Sequence, residues 1–176
     1  GLGDVYKRQD IDMGSGKYRR AADGRDKFKG VEWTVNGKLA PKWTVTGGLM
    51  YIDAKRDKTQ GGKNDGRFVN GVADWSGVLG LVYEPNDSLG IIGRVIWNDA
   101  AYIDNSNAPS GKTKIPSYTT FDLGVNYKTH LGRIPVSLSA MCYNVANKDY
   151  WMGRGSSTTF GLSMPRTFML SARFEF

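Results

Sequence analysis

The sequence is poor in the residues that build most catalytic and metal centres. Its 176 residues include one cysteine, Cys142, and one histidine, His130. A single cysteine excludes an internal disulfide and a cysteine cluster for metal, and catalytic nucleophile–histidine pairs need a well-placed histidine. We expect Cys142 to be a small apolar side chain on a strand and His130 to lie in a short turn. The sequence therefore predicts a protein that is not an enzyme and that binds no cofactor directly.

Long apolar runs are also missing. No stretch of about 18 apolar residues exists, which excludes a membrane-spanning helix. The polar start of the chain has no apolar core and is not a signal peptide. Residues 1–9 match nothing downstream, so we expect residues 1–16 to be an unassigned or junction segment and residues 17–176 to form the folded unit.

The net charge of +7 does not indicate a nucleic-acid-binding protein. Such proteins place basic residues on one face with interleaved aromatics. Here the basic residues lie mainly in the first 30 residues and in predicted loops.

The sequence is rich in turn residues and in segments that alternate between apolar and polar positions. Its 23 glycines and 6 prolines favour β structure with many turns. In the last segment, even positions from Phe168 to Phe176 are apolar and odd positions are mostly polar, which is the period of a strand with one apolar face. Seven segments show this alternation: residues 31–36 (extending back toward Lys17), 43–52, 74–83, 89–98, 121–128, 134–143 and 167–176.

The connections between these segments alternate in length. Short ones cover residues 36–41, 85–88 and 129–133, and long ones cover residues 56–70, 102–116 and 147–164. Tight turns at one rim and large loops at the other are typical of outer-membrane barrels. The pattern predicts an all-β protein, an antiparallel up-and-down transmembrane β-barrel segment with lipid outside and water inside. Seven strands is an odd number, so we expect a larger barrel.

Aromatic residues lie near both ends of the predicted strands, as they do at the two interfaces of a membrane. We expect these seven to be membrane-interface aromatics: Trp43, Tyr83 and Tyr127 near the short turns, and Tyr51, Trp75, Trp97 and Phe121 near the long loops.

Several motifs resemble the TonB-dependent outer-membrane receptors, in particular siderophore receptors of the ferrichrome and pyoverdine type. They are Lys29-Gly-Val-Glu32, the stretch from Gly37 to Trp43, Gly47-Gly-Leu-Met-Tyr-Ile-Asp-Ala54, Ser117-Tyr-Thr-Thr-Phe-Asp-Leu-Gly124, the stretch from Tyr143 to Trp151, and Pro165-Arg-Thr-Phe-Met-Leu-Ser171 with a terminal Phe. The resemblance implies a barrel of about 22 strands, of which residues 17–176 supply the last seven, and a plug domain and TonB box elsewhere.

The resemblance also implies a function. The family takes up ferric siderophores across the outer membrane with energy from the TonB complex, so iron would be carried as part of the ligand. It implies as partners a ferric siderophore, outer-membrane lipid, the barrel-assembly machinery and TonB, and it makes Phe176 part of the assembly signal. A passive outer-membrane channel or structural barrel and a soluble β-sandwich or lipocalin-like binder are the alternatives.

Candidate ligand-binding residues lie in the long loops. Binding sites favour aromatic side chains, and basic residues at the outer rim would attract an anionic ligand. The candidates are Tyr102, Tyr150, Trp151, Arg154 and Phe160. Inward-facing charges such as Arg94 and Asp122 are expected to form cross-strand pairs or to contact the plug rather than to contact ligand.

Overall fold

The computed structural model describes residues 2–104, 113–153 and 160–176. Most of these residues lie in strands, and one short 3₁₀ turn covers Gln60–Gly62. The strands are β1 Leu2–Asp12, β2 Tyr18–Ala40, β3 Trp43–Lys58, β4 Trp75–Asn86, β5 Leu89–Asn98, β6 Ala101–Asp104, β7 Thr113–Ile115, β8 Tyr118–Leu131, β9 Ile134–Tyr143, β10 Trp151–Gly153, β11 Phe160–Leu162 and β12 Thr167–Phe174. Among the same residues, no helix has the length and apolar character needed to cross a membrane.

Eight strands form one antiparallel sheet in the order β1-β2-β3-β4-β5-β8-β9-β12. Each neighbour in the sheet is the next long strand along the chain, so the topology is up and down. The other strands form two small hairpins, β6–β7 and β10–β11, inside long loops. The predicted all-β, antiparallel architecture is confirmed.

The predicted segments lie in strands of this sheet, apart from the end residues Asp74, Glu175 and Phe176. The bounds coincide at Leu89–Asn98 and Ile134–Tyr143, and β2 begins one residue after Lys17. The largest difference is in β3, which continues to Lys58 rather than ending near Ile52. The ladder with β2 continues through the pair Asp26↔Arg56, so the first residues of the expected long loop are strand residues instead.

The expected strand number was wrong, because the sheet contains eight strands rather than seven. The additional strand is β1, which pairs with β2 from Leu2↔Lys29 to Asp12↔Tyr18. The expectation that residues 1–9 match nothing downstream is therefore wrong as far as strand pairing is concerned. A foreign origin for these residues stays a prediction, and amplification of the reading frame from genomic DNA would check it.

The sheet has one apolar face, which we define by Trp33, Leu49, Leu79, Leu123 and Leu170. These side chains are 54, 40, 43, 53 and 81% exposed, respectively. The face is a large open apolar surface, because no second sheet packs on it in the described part of the chain. A soluble β-sandwich would bury such a face against a second sheet.

The two rims of the sheet differ as predicted. At one rim, turns of two residues join β2 to β3, β4 to β5 and β8 to β9, and we call this the short-turn rim. At the other, the long-loop rim, residues 59–74, 99–117 and 144–166 connect the strands. A small apolar cluster of Ala101, Ile103 and Ile115, with Ala73 packed against it, lies beneath these loops.

Candidate functional site at the long-loop rim

Asp122 ties two strands and a loop together on the polar face of the sheet. Its carboxylate is buried, with 3% of the residue exposed. Its Oδ2 accepts hydrogen bonds from Arg94 Nε at 2.8 Å and Nη2 at 2.6 Å, while its Oδ1 accepts one from the backbone N–H of Asn144 at 2.8 Å. The predicted cross-strand pairing of Arg94 and Asp122 is confirmed, since the two residues are register partners of β5 and β8. Charged hydrogen bonds of this kind are among the stronger ones in proteins.

Asn144 closes the base of the last long loop. Its side-chain Nδ2 donates to the carbonyls of Lys148 at 2.9 Å and Met164 at 3.0 Å, and its Oδ1 accepts from the Lys148 N–H at 2.9 Å. Its backbone has φ of 50°, a left-handed conformation that Asn tolerates better than most residues. One buried amide therefore joins the outgoing and the returning chain.

Asn147 and Arg166 make a second connection across the same loop. The N–H of Arg166 donates to Asn147 Oδ1 at 2.9 Å, and its guanidinium donates to the Val145 carbonyl at 3.3 Å. In the sequence, the stretch from Tyr143 to Trp151 stands out only as a family motif. The signal that could have revealed its role is the pair of asparagines at positions 144 and 147, since Asn favours turns by bonding nearby backbone.

Tyr150 lies on the inner side of this loop, in contact with the sheet. Its ring stacks on Tyr118 with centroids 3.9 Å apart. Its N–H donates to Ser163 Oγ at 3.1 Å, and its carbonyl accepts from the Ser163 N–H at 2.9 Å. The adjacent Trp151 pairs with Leu162 in the β10–β11 hairpin and is 48% exposed. Trp151 is thus the open candidate and Tyr150 the anchored one.

Tyr102 belongs to a separate aromatic group on the β6–β7 hairpin. Its ring stacks on Phe68 with centroids 5.5 Å apart. Lys114 Nζ lies 4.3 Å from the Tyr102 ring centroid, and Lys55 Nζ lies 5.7 Å from that of Phe68. Two cations therefore flank two stacked rings, an arrangement that favours both partners through the ring quadrupoles.

Asp74 precedes β4 in the same region. Burial raises the pKa of its carboxyl above the usual value, and the nearby Asp99 raises it further, while Lys114 acts in the opposite direction. The long-loop rim thus contains a carboxyl group whose ionised form is destabilised by burial. Metal-ligand clustering does not accompany it, because no group of three or more His, Cys, Asp or Glu suited to a metal lies among the residues that the structure describes.

The structure brings part of the predicted ligand set together. The hairpin that carries Trp151 lies against the hairpin that carries Tyr102. Phe160 pairs with Gly153 through its backbone, but its side chain and Arg154 lie outside the described residues. Whether these five residues bind ligand is not tested by their positions, and the assignment stays a prediction.

Comparison with known proteins assigns this eight-stranded sheet, which we also call the wall, to a family. A family model described as "TonB dependent receptor-like, beta-barrel" matches residues 4–145. The chain belongs to the TonB-dependent receptor β-barrel family. The match begins within β1 and ends in the loop after β9, so it covers most of the eight-stranded sheet.

Relatives in this family support the same assignment. The ferrichrome receptor FcuA of Yersinia enterocolitica is 26% identical over 156 residues, covering 87% of this chain and 20% of that protein. The probable TonB-dependent siderophore receptor PiuA of Acinetobacter baumannii is 25% identical over 164 residues, covering 87% of this chain and 21% of its own length. The chain therefore spans about a fifth of the length of these relatives.

A solved structure shows the same fold. The ferric preacinetobactin receptor BauA of A. baumannii superimposes with a TM-score of 0.81 and 26% identity, covering 99% of this chain and 26% of that structure. Like other TonB-dependent receptor barrels, this chain is part of the outer membrane.

The wall aromatics of this TonB-dependent receptor barrel lie at two levels. Trp43 pairs with Tyr83 near the short-turn rim, and their rings stack with centroids 4.6 Å apart. Tyr51 pairs with Trp75 near the long-loop rim, with centroids 4.9 Å apart. The other three predicted interface aromatics lie on β5 and β8: Tyr127 pairs with Leu89, Trp97 with Thr119, and Phe121 with Val95. These positions fit the two interfaces, and the membrane role stays a prediction.

The closing strand runs toward the short-turn rim, as expected. Phe174 pairs with Val136 near the start of β9, and the Glu175 N–H donates to the Pro135 carbonyl at 3.1 Å. Phe176 is fully exposed beyond the last pair. His130, expected in a turn, instead lies in β8 opposite Pro135, because the strand continues to Leu131.

Proposed function

We propose that this chain forms the last strands of the barrel of a receptor that carries a ferric siderophore across the outer membrane with energy from TonB. The observation that carries the proposal is the family match over residues 4–145. The named siderophore receptors FcuA and PiuA, which this chain resembles over 87% of its length, support the ligand class. Iron is then cargo within the ligand, and the receptor catalyses no bond chemistry.

The long-loop rim supplies what such a receptor needs for capture. Trp151 and Tyr102 present aromatic rings from the two hairpins, and Tyr150 supplies a ring next to β10. Phe160 is the fourth proposed aromatic contact. Arg154 and Lys114 add positive charge that would attract an anionic ferric complex. Loops elsewhere in the receptor complete the site, and a TonB box and plug in the rest of the protein complete the transport machinery.

Other partners follow from the same proposal. Outer-membrane lipid contacts the apolar face, with the paired aromatics at its two interfaces. The barrel-assembly machinery recognises the closing strand with Phe176.

Uptake of ferric siderophore tests the transport proposal. Cells that depend on the full-length receptor should accumulate radioactive iron from the siderophore, and deletion of TonB should abolish this accumulation. Accumulation that continues without TonB would contradict the proposal and favour a passive channel.

Binding to the full-length receptor tests the loop assignment separately. Replacing Tyr150, Trp151 or Phe160 by Ala should weaken binding of the ferric siderophore by about tenfold where the ring is a main contact. Tyr127→Ala is the matched control, since Tyr127 is an exposed aromatic near the opposite rim. Unchanged affinity in all three loop variants would overturn the assignment while leaving the transport proposal intact.

A further inference from the structure

The lipid-facing wall contains an apolar groove of about 320 Å³ across β2, β3, β4 and β5. Its two long sides are formed by large side chains, and its floor contains glycines. Register partners on neighbouring strands form rows across the sheet. One row runs, from β2 to β5, through Trp33, Leu49, Gly77 and Trp97. The next row toward the short-turn rim runs, from β2 to β4, through Val35, Gly47 and Leu79. Because Gly47 and Gly77 have no side chains, the surface is lower at these two positions. We call the groove that results the furrow.

The glycines are set close to their neighbours, so the furrow is part of the wall's packing. A Cβ on Gly47 would lie 2.7 Å from the Val78 carbonyl oxygen, and one on Gly77 would lie 3.3 Å from Leu49 Cδ1. A side chain at Gly47 would therefore displace the neighbouring strand, whereas one at Gly77 would displace only a mobile methyl group and fill the furrow.

The position of the furrow determines what can occupy it. It lies between the Trp43–Tyr83 pair and the Tyr51–Trp75 pair, and so within the apolar span of the wall. Its lining is continuous with the lipid-facing surface. The adjoining molecules at that depth are membrane lipids, whose acyl chains are linear and apolar, as the furrow is.

A cation lies above the furrow at the depth of lipid headgroups. Lys29 is four residues from Trp33 toward the long-loop rim, about 13 Å along the strand. Its register partner is Asp53, and this pair lies two pairs beyond Val31 and Tyr51. Lys29 is exposed, and no ion pair joins it to another residue in the described part of the chain. Lys27 and Lys55 on the same face are instead paired with Asp57 and Asp53.

We propose that this furrow binds one acyl chain of an anionic membrane lipid, whose phosphate is held by Lys29. Burial of methylene groups against Trp33, Leu79 and Trp97 supplies most of the affinity, and Lys29 adds about fivefold, as a basic residue near an anionic headgroup does. The site orients one lipid along the wall, immediately below the long loops.

Photochemical labelling tests the proposal on the full-length receptor. The protein is reconstituted in phosphatidylcholine vesicles that contain a minor fraction of phosphatidylglycerol with a diazirine in mid-chain, then irradiated and mapped by peptide mass spectrometry. We expect labels to concentrate on the strands of Trp33, Leu49 and Trp97, well above the surface around Leu123 and Leu170, although Leu170 is more exposed than Trp33 or Leu49. Uniform labelling of the lipid-facing surface of the wild-type receptor would overturn the proposal.

Two lipid-facing glycines give a matched pair of variants. Gly77→Leu fills the furrow and should lower its labelling about tenfold, the effect of displacing roughly two buried methylene groups. Gly93→Leu lies on the same face outside the furrow, with its nearest contact at 3.9 Å, and should leave labelling unchanged. Equal effects of the two variants would contradict a specific site. The heat-dependent gel shift of folded barrels confirms that each variant is folded.

The headgroup contact has its own readout. Lys29→Ala should lower furrow labelling by the phosphatidylglycerol probe but not by a diazirine phosphatidylcholine, which carries no net charge. An equal fall with both probes would contradict the phosphate contact. If a second protein copy occupies the furrow instead, native mass spectrometry will show dimers that Gly77→Leu dissociates, and the lipid proposal fails.

Discussion

The two rims of this sheet are built by different means. At the short-turn rim, two residues are enough to reverse the chain, and the side-chain contacts within a turn are local, as where Asn86 Oδ1 accepts from the N–H groups of Ser88 and Leu89 at 3.0 Å. At the long-loop rim, the last loop is held at its base by the side chains of Asp122, Asn144 and Asn147, which join residues far apart in the sequence. The difference shows that strand pairing and local turns determine the sheet, whereas long-range side-chain hydrogen bonds, two of them from the buried residues Asp122 and Asn144, determine how the last loop leaves it.

Removing the Asp122 carboxylate should have the largest effect on this contrast. Asp122→Ala leaves the Asn144 N–H without its acceptor and Arg94 without its partner, and should cost about 3 kcal/mol. Urea unfolding of the full-length barrel in lipid vesicles measures it. Asp122→Asn keeps one acceptor oxygen, so it can retain the contact to Asn144 or the one to Arg94 but not both, and it should cost less than Asp122→Ala. An equal loss for the two variants would contradict a contribution from the single remaining hydrogen bond.

Asn144 is expected to affect the loop more than the sheet. Asn144→Ala removes three side-chain hydrogen bonds and strains the left-handed backbone, at a cost of about 2 kcal/mol. Hydrogen exchange should speed up at residues 145–152 and 161–166 and stay unchanged in the centre of β9. Asn144→Gly restores the backbone freedom without the bonds, so full rescue by Gly would show that the hydrogen bonds contribute little.

A turn at the opposite rim should respond to conformation alone. Gly132 has φ of 63°, and the space that a side chain would enter there is open, so Gly132→Ala should cost about 1 kcal/mol. Gly37→Ala provides the control, since that residue also has open space but no positive φ. Comparable unfolding free energies for the two variants would mean that the turn does not depend on its backbone conformation.

The smallest expected effect is the pH dependence of Asp74. Its pKa is raised in the folded protein, mainly by burial, so the folded state binds the proton more tightly than the unfolded state. The resulting stabilisation is complete below the unfolded pKa and is lost as the pH rises through the folded value. Wild type should therefore lose stability relative to Asp74→Asn as the pH rises above the ordinary Asp pKa of about 4. A difference that is constant with pH would contradict the shift.

Sequence alternation predicted the wall well because a strand in this sheet needs only the right side chain on each face. Residues 89–98 and 134–143 were predicted to the residue. β1 was missed because its charged residues, such as Lys7 and Asp10, show no apolar alternation, and its place depends on pairing with the long β2.

The site was predicted less completely than the wall. Aromatic candidates such as Tyr102 and Tyr150 were found by residue type, but their stacking partners Phe68 and Tyr118 come from distant strands and loops. The roles of Asn144 and Ser163 depend on which backbone groups a loop brings within hydrogen-bonding distance, and no local pattern in the sequence records that.

The orientation of the two rims across the outer membrane is the most direct test of the barrel assignment. In the full-length receptor with Cys142→Ala, single cysteines are introduced by Gln60→Cys at the long-loop rim and Asp87→Cys at the short-turn rim, both at exposed positions. Intact cells are treated with a maleimide on a polymer too large to cross the outer membrane. We expect Gln60→Cys to be labelled on intact cells and Asp87→Cys only after the membrane is disrupted. Labelling of Asp87→Cys alone, or of both equally, would contradict this orientation.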